Sequence, residues 1–205
     1  MIDKRLANQL FELAQAFNKI GITPVICGGL GVYLCFRTYS TEQLRATNDI
    51  DLMLTQSQII EQSQRSAIAE IIIEGLHYMV CDGGEHFRFF KKPDQRLDIL
   101  APRVDDIETN IFRIKLVKSK LHGHITDEAC FIEEDLRTIS LFNILQDDKV
   151  ATDLKVAVPS PTNQLILKLC AFEDRNQSQR QDTQRTGSRL GYIHNNNTIW
   201  ERGLS

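Results

Sequence analysis

The sequence predicts an α+β fold in which a small mixed sheet is flanked by helices and followed by a short C-terminal helical region. Three observations lead to this prediction: apolar residues at helical spacing over residues 3–19, short strand-like runs between residues 24 and 100, and an amphipathic helical pattern over residues 162–173. A Pro-Ser-Pro junction precedes the last pattern. We therefore divide the 205-residue chain into a main domain over residues 1–158 and a helical region with a polar tail over residues 159–205.

The first elements are predicted to be a helix, a buried strand and a second helix. The first helix spans residues 3–19, with Asp3 as its N-cap and Gly21 as its stop signal. Its apolar face is formed by Leu6, Leu10, Leu13, Ala14 and Phe17. A strand over residues 24–27 then leads through a glycine pair into the second helix, which continues to about Phe36.

The middle of the chain is predicted to supply most of the sheet. A strand over residues 49–54 is followed by one long amphipathic helix from Ser57 to Gly75. Four further strands are predicted at residues 78–81, 87–90, 96–100 and 113–117. The polar stretch over residues 176–197 is left open between a helix and a disordered tail.

Composition argues against a nucleic-acid coat protein and a membrane-surface binder. The formal net charge is −3, with 24 basic and 27 acidic residues, whereas such proteins carry a basic surplus. No apolar run reaches the roughly 18–20 residues that span a bilayer, and the first residues lack a secretory pattern. The five cysteines form no Cys-x-x-Cys pair, which argues against a disulfide framework or a structural zinc site. We therefore expect a cytoplasmic protein with free thiols.

Two acidic side chains, Asp49 and Asp51, alternate with apolar residues on one predicted strand. Because residues two apart on a strand point to the same face, the two carboxylates lie close together and repel each other. Mg²⁺ relieves such repulsion, since it takes oxygen ligands and commonly uses one or two carboxylates together with substrate phosphates. The alternative is that both acids lie on a solvated face or at a strand end.

Asp98 is a third, isolated acid within an apolar run that is typical of an interior strand. If this strand lies beside that of Asp49, the three carboxylates form a two-metal clamp suited to phosphoryl transfer. The alternative is a strand-end residue that pairs with Arg96 or Arg103.

A glycine turn, Gly28-Gly29, follows one predicted strand and precedes a helix. Glycines let backbone amides approach a phosphate closely, and a helix N-terminus favours an anion. The alternatives are an ordinary strand-to-helix turn and a dinucleotide-binding turn, since an acid follows about 20 residues later. The dinucleotide interpretation is weak because Leu34 stands at the third glycine position.

The remaining polar residues near these strands are interpreted as surface or turn residues without a role in catalysis. His86 and Arg88 precede Asp98 on a strand, and we interpret them as surface residues rather than substrate contacts. His122 and His124 are interpreted as a polar turn, because no cysteine or third ligand lies nearby in the sequence.

In type and order these features resemble a nucleotidyltransferase of the DNA polymerase β superfamily, most closely of the abortive-infection (AbiEii-like) type. In that family the glycine turn is followed by Arg-x-Thr-x-Asp-x-Asp-Leu, present here as residues 45–52. A later helix with Lys-Leu-x-Ala and a following Arg resembles residues 159–175. The resemblance covers about residues 20–182 and departs from the family at Arg185, where a second aspartate is usual.

Carried onto this chain, the resemblance implies that residues 1–158 form the catalytic domain. It assigns catalytic and metal-binding roles to Asp49, Asp51 and Asp98, with Mg²⁺ as the cofactor and Mn²⁺ as an alternative ion. Asp98 would also help to activate the acceptor hydroxyl.

The resemblance also implies a nucleotide-binding set that consists of Gly28, Gly29, Arg45 and Lys168. The two glycines would hold the β- and γ-phosphates of an NTP such as ATP through their amides. Lys168 would neutralise phosphate charge or contact the nucleotide, and Arg45 would reach a phosphate or support the turn.

The sequence thus predicts an Mg²⁺-dependent nucleotidyltransferase that moves an NMP from an NTP to a hydroxyl acceptor and releases pyrophosphate. An RNA end such as that of a tRNA, a protein side chain and a small molecule stay open as acceptors. By analogy with abortive-infection relatives, the chain would be the toxin of a toxin–antitoxin pair, with an antitoxin protein as partner and no membrane. The alternative is a catalytically decayed nucleotide- or protein-binding module on the same fold, which Arg185 favours.

Overall fold

The computed structural model describes residues 2–36, 47–80, 87–92, 94–104, 111–115, 120–142 and 154–173. The chain divides into two compact units, Met1–Leu167 and Lys168–Ser205. The division at residues 158 and 159 remains a prediction.

Helices occur at the start, in the middle and toward the end of the described part of the chain. They are α1 (Lys4–Lys19), α2 (Gly28–Phe36), α3 (Gln56–Ile60), α4 (Gln62–Glu70) and α5 (residues 161–173), with a π-helical turn at Ile71–Gly75 and a 3₁₀ helix at Asp127–Asp135. In the part of the chain that the structure describes, none of the helices combines the length and the apolar character that a bilayer crossing requires.

The predicted N-cap of α1 is confirmed. The Asp3 carboxylate accepts a hydrogen bond from the backbone N–H of Arg5 at 2.7 Å. The chain leaves the helix through Gly21, which has a φ of +75°. A residue without Cβ adopts this left-handed conformation most readily, and α1 ends there.

The single long helix predicted from Ser57 to Gly75 is wrong, because the chain breaks at Glu61. Glu61 has a ψ of 111°, an extended conformation that ends α3 and starts α4. Two β-branched residues, Ile59 and Ile60, precede the break and favour extended backbone. The Glu61 carboxylate accepts a hydrogen bond from the Gln64 side chain at 2.6 Å, which holds the new start in place.

The strands are β1 (Val25–Cys27), β2 (Asp49–Met53), β3 (Met79–Val80), β4 (Arg88–Lys92), β5 (Gln95–Pro102), β6 (Ile111–Lys115), β7 (Lys120–Thr126), β8 (Leu136–Ser140) and β9 (Lys155–Pro159). Each strand predicted before residue 118 is present within a few residues of its predicted position. The polar turn predicted at His122 and His124 is wrong, since both residues lie on β7. That strand pairs with both β5 and β6, and this pairing outweighs its polar composition.

The strands form one mixed sheet in the order β3-β4-β5-β2-β1-β9-β8. β5 is parallel to β2 on one side, and on its other side it pairs first with antiparallel β4 and then with parallel β7. Helices flank this mixed sheet, so the predicted α+β class is confirmed.

The main core lies on one face of the sheet. Ile50, Leu52, Leu97 and Ile99 are fully buried there, in one cluster with apolar residues of α1. The neighbouring positions on β2 and β5 therefore point to the opposite face. That face carries a smaller apolar cluster, which includes Val25, Cys27 and Met53 together with Ala129 and Ile132 of the 3₁₀ helix.

Candidate active site

The three predicted acids meet on two neighbouring strands. In the parallel register of β2 and β5, Asp51 lies beside Asp98, and Asp49 lies beside Arg96. Residues that are paired across a ladder share a face, so four charged side chains form a square on the face opposite the main core. The juxtaposition that the two-metal hypothesis requires is therefore present.

Asp98 is surrounded by guanidinium groups rather than by solvent. Arg96 donates from Nε to Oδ1 at 2.9 Å and from Nη2 to Oδ2. Arg88, beside Asp98 on β4, donates from Nε to Oδ1 at 3.3 Å and from Nη2 to Oδ2 at 3.4 Å. Only 6% of the Asp98 side chain is exposed. The pairing with Arg96 that stood as the alternative is thus observed, although Asp98 lies within a central strand.

Arg96 also interacts electrostatically with Asp49 and Asp51. Its Nη2 lies 3.7 Å from Oδ2 of Asp49. The hydrogen bonds to Asp98, and then the negative charges of Asp98, Asp49 and Asp51, raise the pKa of Arg96. This guanidinium therefore stays protonated at any physiological pH.

Asp49 is more exposed than Asp98. Its side chain is 28% exposed, and its Oδ1 accepts a hydrogen bond from the Thr47 hydroxyl at 2.5 Å. Thr47 fixes one oxygen of Asp49 and leaves the other toward Arg96 and solvent.

The glycine turn brings Asp51 and Thr47 against the start of α2. Gly28 has a φ of +61°, and a Cβ built on it would lie 1.6 Å from Oδ2 of Asp51. A Cβ on Gly29 would lie 2.9 Å from Cβ of Thr47. The missing side chains thus let Asp51 and Thr47 approach the N-terminus of α2, whose dipole favours negative charge.

Cys27 lies beside Asp51 in the antiparallel register of β1 and β2. Burial of this thiol raises its pKa, and the negative charge of Asp51 raises it further. A buried, protonated thiol is a poor nucleophile. Cys27 is fully buried and belongs to the smaller apolar cluster beside the site.

The predicted nucleotide contacts of Arg45 and Lys168 remain predictions. Arg45 lies outside the described residues, as do His86 and Arg185. Lys168 lies on α5 as the first residue of the second compact unit.

The two arginines that contact Asp98 differ in how far the sequence predicts them. The surface interpretation of Arg88 is wrong, since its side chain is 24% exposed and contacts Asp98. The sequence predicts a contact between Arg96 and Asp98, because Arg96 precedes Asp98 by two residues and therefore lies on the same face of the strand. It predicts no such contact for Arg88, because the position of Arg88 depends on the pairing of β4 with β5.

Comparisons with known proteins add little. No protein-family model matches the chain, and none of the curated proteins matches it. The solution structure of the antibiotic-resistance factor ANT(2'')-Ia matches over 95% of this chain and 100% of its own, at 14% identity and a TM-score of 0.35. A match this distant carries no weight for fold or function, and the abortive-infection type stays a prediction.

Proposed function

We propose that this chain is an Mg²⁺-dependent nucleotidyltransferase that transfers an NMP from an NTP to a hydroxyl acceptor. One observation carries the proposal: Asp49, Asp51 and Asp98 share one sheet face, and Asp51 lies directly against Gly28 at the N-terminus of α2. Carboxylates next to a helix N-terminus are an unfavourable site for a bare triphosphate but a favourable one for a triphosphate with a divalent ion.

Asp49 and Asp51 fit the ion. Among the described residues, no group of three His, Cys, Asp or Glu side chains is placed to hold a metal. Mg²⁺ seldom uses an all-protein cage, and one or two carboxylates with phosphate oxygens and water are its usual ligands in such enzymes. When bound, the ion would neutralise phosphate charge and orient the triphosphate.

The chain's own groups supply the remaining contacts. The first amides of α2 favour an anionic phosphate. Because Asp51 already brings a negative charge to this helix end, phosphate binding there depends on a cation between the two. Thr47 holds Oδ1 of Asp49, so the carboxylate stays oriented while its other oxygen faces Arg96 and solvent.

The test is transfer from labelled NTPs to total RNA, to protein and to small hydroxyl compounds. We expect the Asp49→Asn and Asp51→Asn variants to lose transfer by about a hundredfold or more, as when one electrostatic group of an active site is removed. Asp94→Asn is the matched control, since Asp94 is a surface carboxylate that pairs with Arg5 at 2.5 Å. Wild-type protein that labels none of the acceptors, or variants as active as the wild type, would contradict the proposal.

One observation favours a second candidate, a binding module without catalysis. The Asp98 carboxylate is already engaged by two arginines, so the acid predicted to activate the acceptor is occupied. Calorimetry with NTPs separates the candidates, because Mg²⁺-dependent binding without any turnover supports the module. The toxin role and the antitoxin partner remain predictions.

A further inference from the structure

We propose that Arg96 is the built-in second cation of this site, so that the chain binds one divalent ion where the sequence predicts two. The inference rests on the proposed function and names the charge arrangement of the same site. It follows from the hydrogen bonding of Asp98, the position of Arg96 and the local charge balance.

The Asp98 carboxylate has no lone pair left for a metal. A carboxylate offers about four lone-pair positions on its two oxygens. Arg96 and Arg88 each donate two hydrogen bonds to it, one to each oxygen. A metal could bind Asp98 only by displacing a guanidinium from a side chain that is 6% exposed.

The Arg96 guanidinium occupies the space that a second ion between the acids would need. Its Nη2 contacts Oδ2 of Asp98 and lies 3.7 Å from Oδ2 of Asp49. An ion that joins these two carboxylates, with metal–oxygen bonds of about 2 Å, would need the space between the same two oxygens. The guanidinium and a second ion therefore exclude each other.

The backbone of Arg96 is held in place from the face of the sheet that carries the main core. Gln9, which is 2% exposed, donates from Nε2 to the Arg96 carbonyl at 2.9 Å and to the Tyr78 hydroxyl at 2.7 Å. The strand position of Arg96 is thus set by the packing of α1 on the sheet. From that position its guanidinium is held by the two hydrogen bonds to Asp98.

The charge balance agrees with a single ion. Among the residues that the structure describes, the three carboxylates and the two guanidiniums that contact Asp98 sum to a charge of −1, which one divalent ion converts to +1. A modest positive charge suits a triphosphate. A second ion would bring +3 into the same small volume, at a large electrostatic cost.

The experiment counts Mn²⁺ bound to the full chain without nucleotide, from the loss of the free-ion electron paramagnetic resonance signal. We expect one ion for the wild type, one for Arg96→Lys, and two for Arg96→Gln, in which Asp98 keeps only its longer bonds to Arg88. Arg5→Gln is the matched control and keeps one ion, because Arg5 pairs with Asp94 at the surface. Two ions or none on the wild type, or one on Arg96→Gln, would overturn the proposal.

A second variant keeps the test decisive if Arg96→Gln fails to fold. The number of ions bound by Asp98→Asn is compared with the number bound by the wild type. If Asp98 holds no ion, both proteins bind one ion. In a two-ion site the wild type would bind two ions and the variant one. Ion counting does not depend on turnover, so the two proposals fail separately. One bound ion with no nucleotidyl transfer refutes only the proposed function, and transfer with two bound ions refutes only the role of Arg96.

Discussion

Gly28 has a φ of +61°, and its Cα faces the Asp51 carboxylate so closely that a Cβ would lie 1.6 Å from Oδ2. Gly21 has a similar φ of +75°, yet a Cβ there would meet nothing within 4 Å. The two glycines therefore separate two effects that usually occur together. Gly21 needs only backbone freedom, whereas Gly28 needs both backbone freedom and space for a functional carboxylate.

We expect Gly28→Ala to destabilise the protein far more than Gly21→Ala. The left-handed conformation alone costs about 1–2 kcal/mol for an alanine, and this is the full effect expected at Gly21. At Gly28 the displacement of Asp51 adds about 2 kcal/mol or more, as overpacking of a filled position does. The free energy of unfolding in urea measures both variants.

Equal losses for the two variants would show that Asp51 moves aside at little cost. The carboxylate would then have a second stable position, and the close approach at Gly28 would not be required for the site.

At the scale of the element, the short helix α3 depends on its N-terminal cap. The Thr55 hydroxyl accepts from the backbone N–H of Gln58 at 3.4 Å, and the Gln58 side chain accepts from the backbone N–H of Thr55 at 2.9 Å. This reciprocal pair is a capping box, which satisfies two amides at the start of the helix. A five-residue helix has few other bonds to hold it.

We therefore expect Thr55→Ala to lower the free energy of unfolding by about 1 kcal/mol, the usual effect of a lost cap. Thr55→Ser keeps the hydroxyl and is expected to retain most of the stability. Urea denaturation of the three proteins tests this. If Thr55→Ser loses as much as Thr55→Ala, the effect comes from the methyl group of threonine and not from the cap.

Elements with a local signal could be predicted from the sequence, and elements set by distant partners could not. Asp3 and Gly21 mark the ends of α1 through local chemistry, and alternation along β2 correctly places Asp49 and Asp51 on one face. The break at Glu61 was missed because the apolar spacing continues across it. Periodicity of apolar residues indicates which side of an element is buried, but it does not indicate where the helix axis changes direction.

The same distinction explains the site. Spacing along one strand predicts that its acids share a face, but it carries no information about which strand lies alongside. The neighbourhood of Asp51 and Asp98, and the bonds from Arg88 to Asp98, depend on the strand order β4-β5-β2. That order is fixed by the packing of the whole sheet against the helices.

At the scale of the whole molecule, one buried polar contact joins the helical layer to the sheet and to the site. Gln9 on α1 bonds both the Tyr78 hydroxyl and the backbone of Arg96. Tyr78 is 2% exposed, and burial raises its pKa to about 12, although the hydrogen bond from Gln9 acts in the opposite direction. The folded state therefore favours the neutral phenol.

This contact predicts a loss of stability at alkaline pH. A group whose pKa is raised by folding contributes its full stability below the unfolded value, near 10, and loses it as the pH rises through the folded value of about 12. The difference of two pKa units corresponds to about 2–3 kcal/mol. We expect Tyr78→Phe to lack this part of the alkaline loss, while Tyr33→Phe, on α2, follows the wild type. Unfolding in urea at several pH values between 9 and 12 measures the slopes. A Tyr78→Phe variant that loses stability as steeply as the wild type would show that Tyr78 ionises without disturbing the contact between α1 and the sheet.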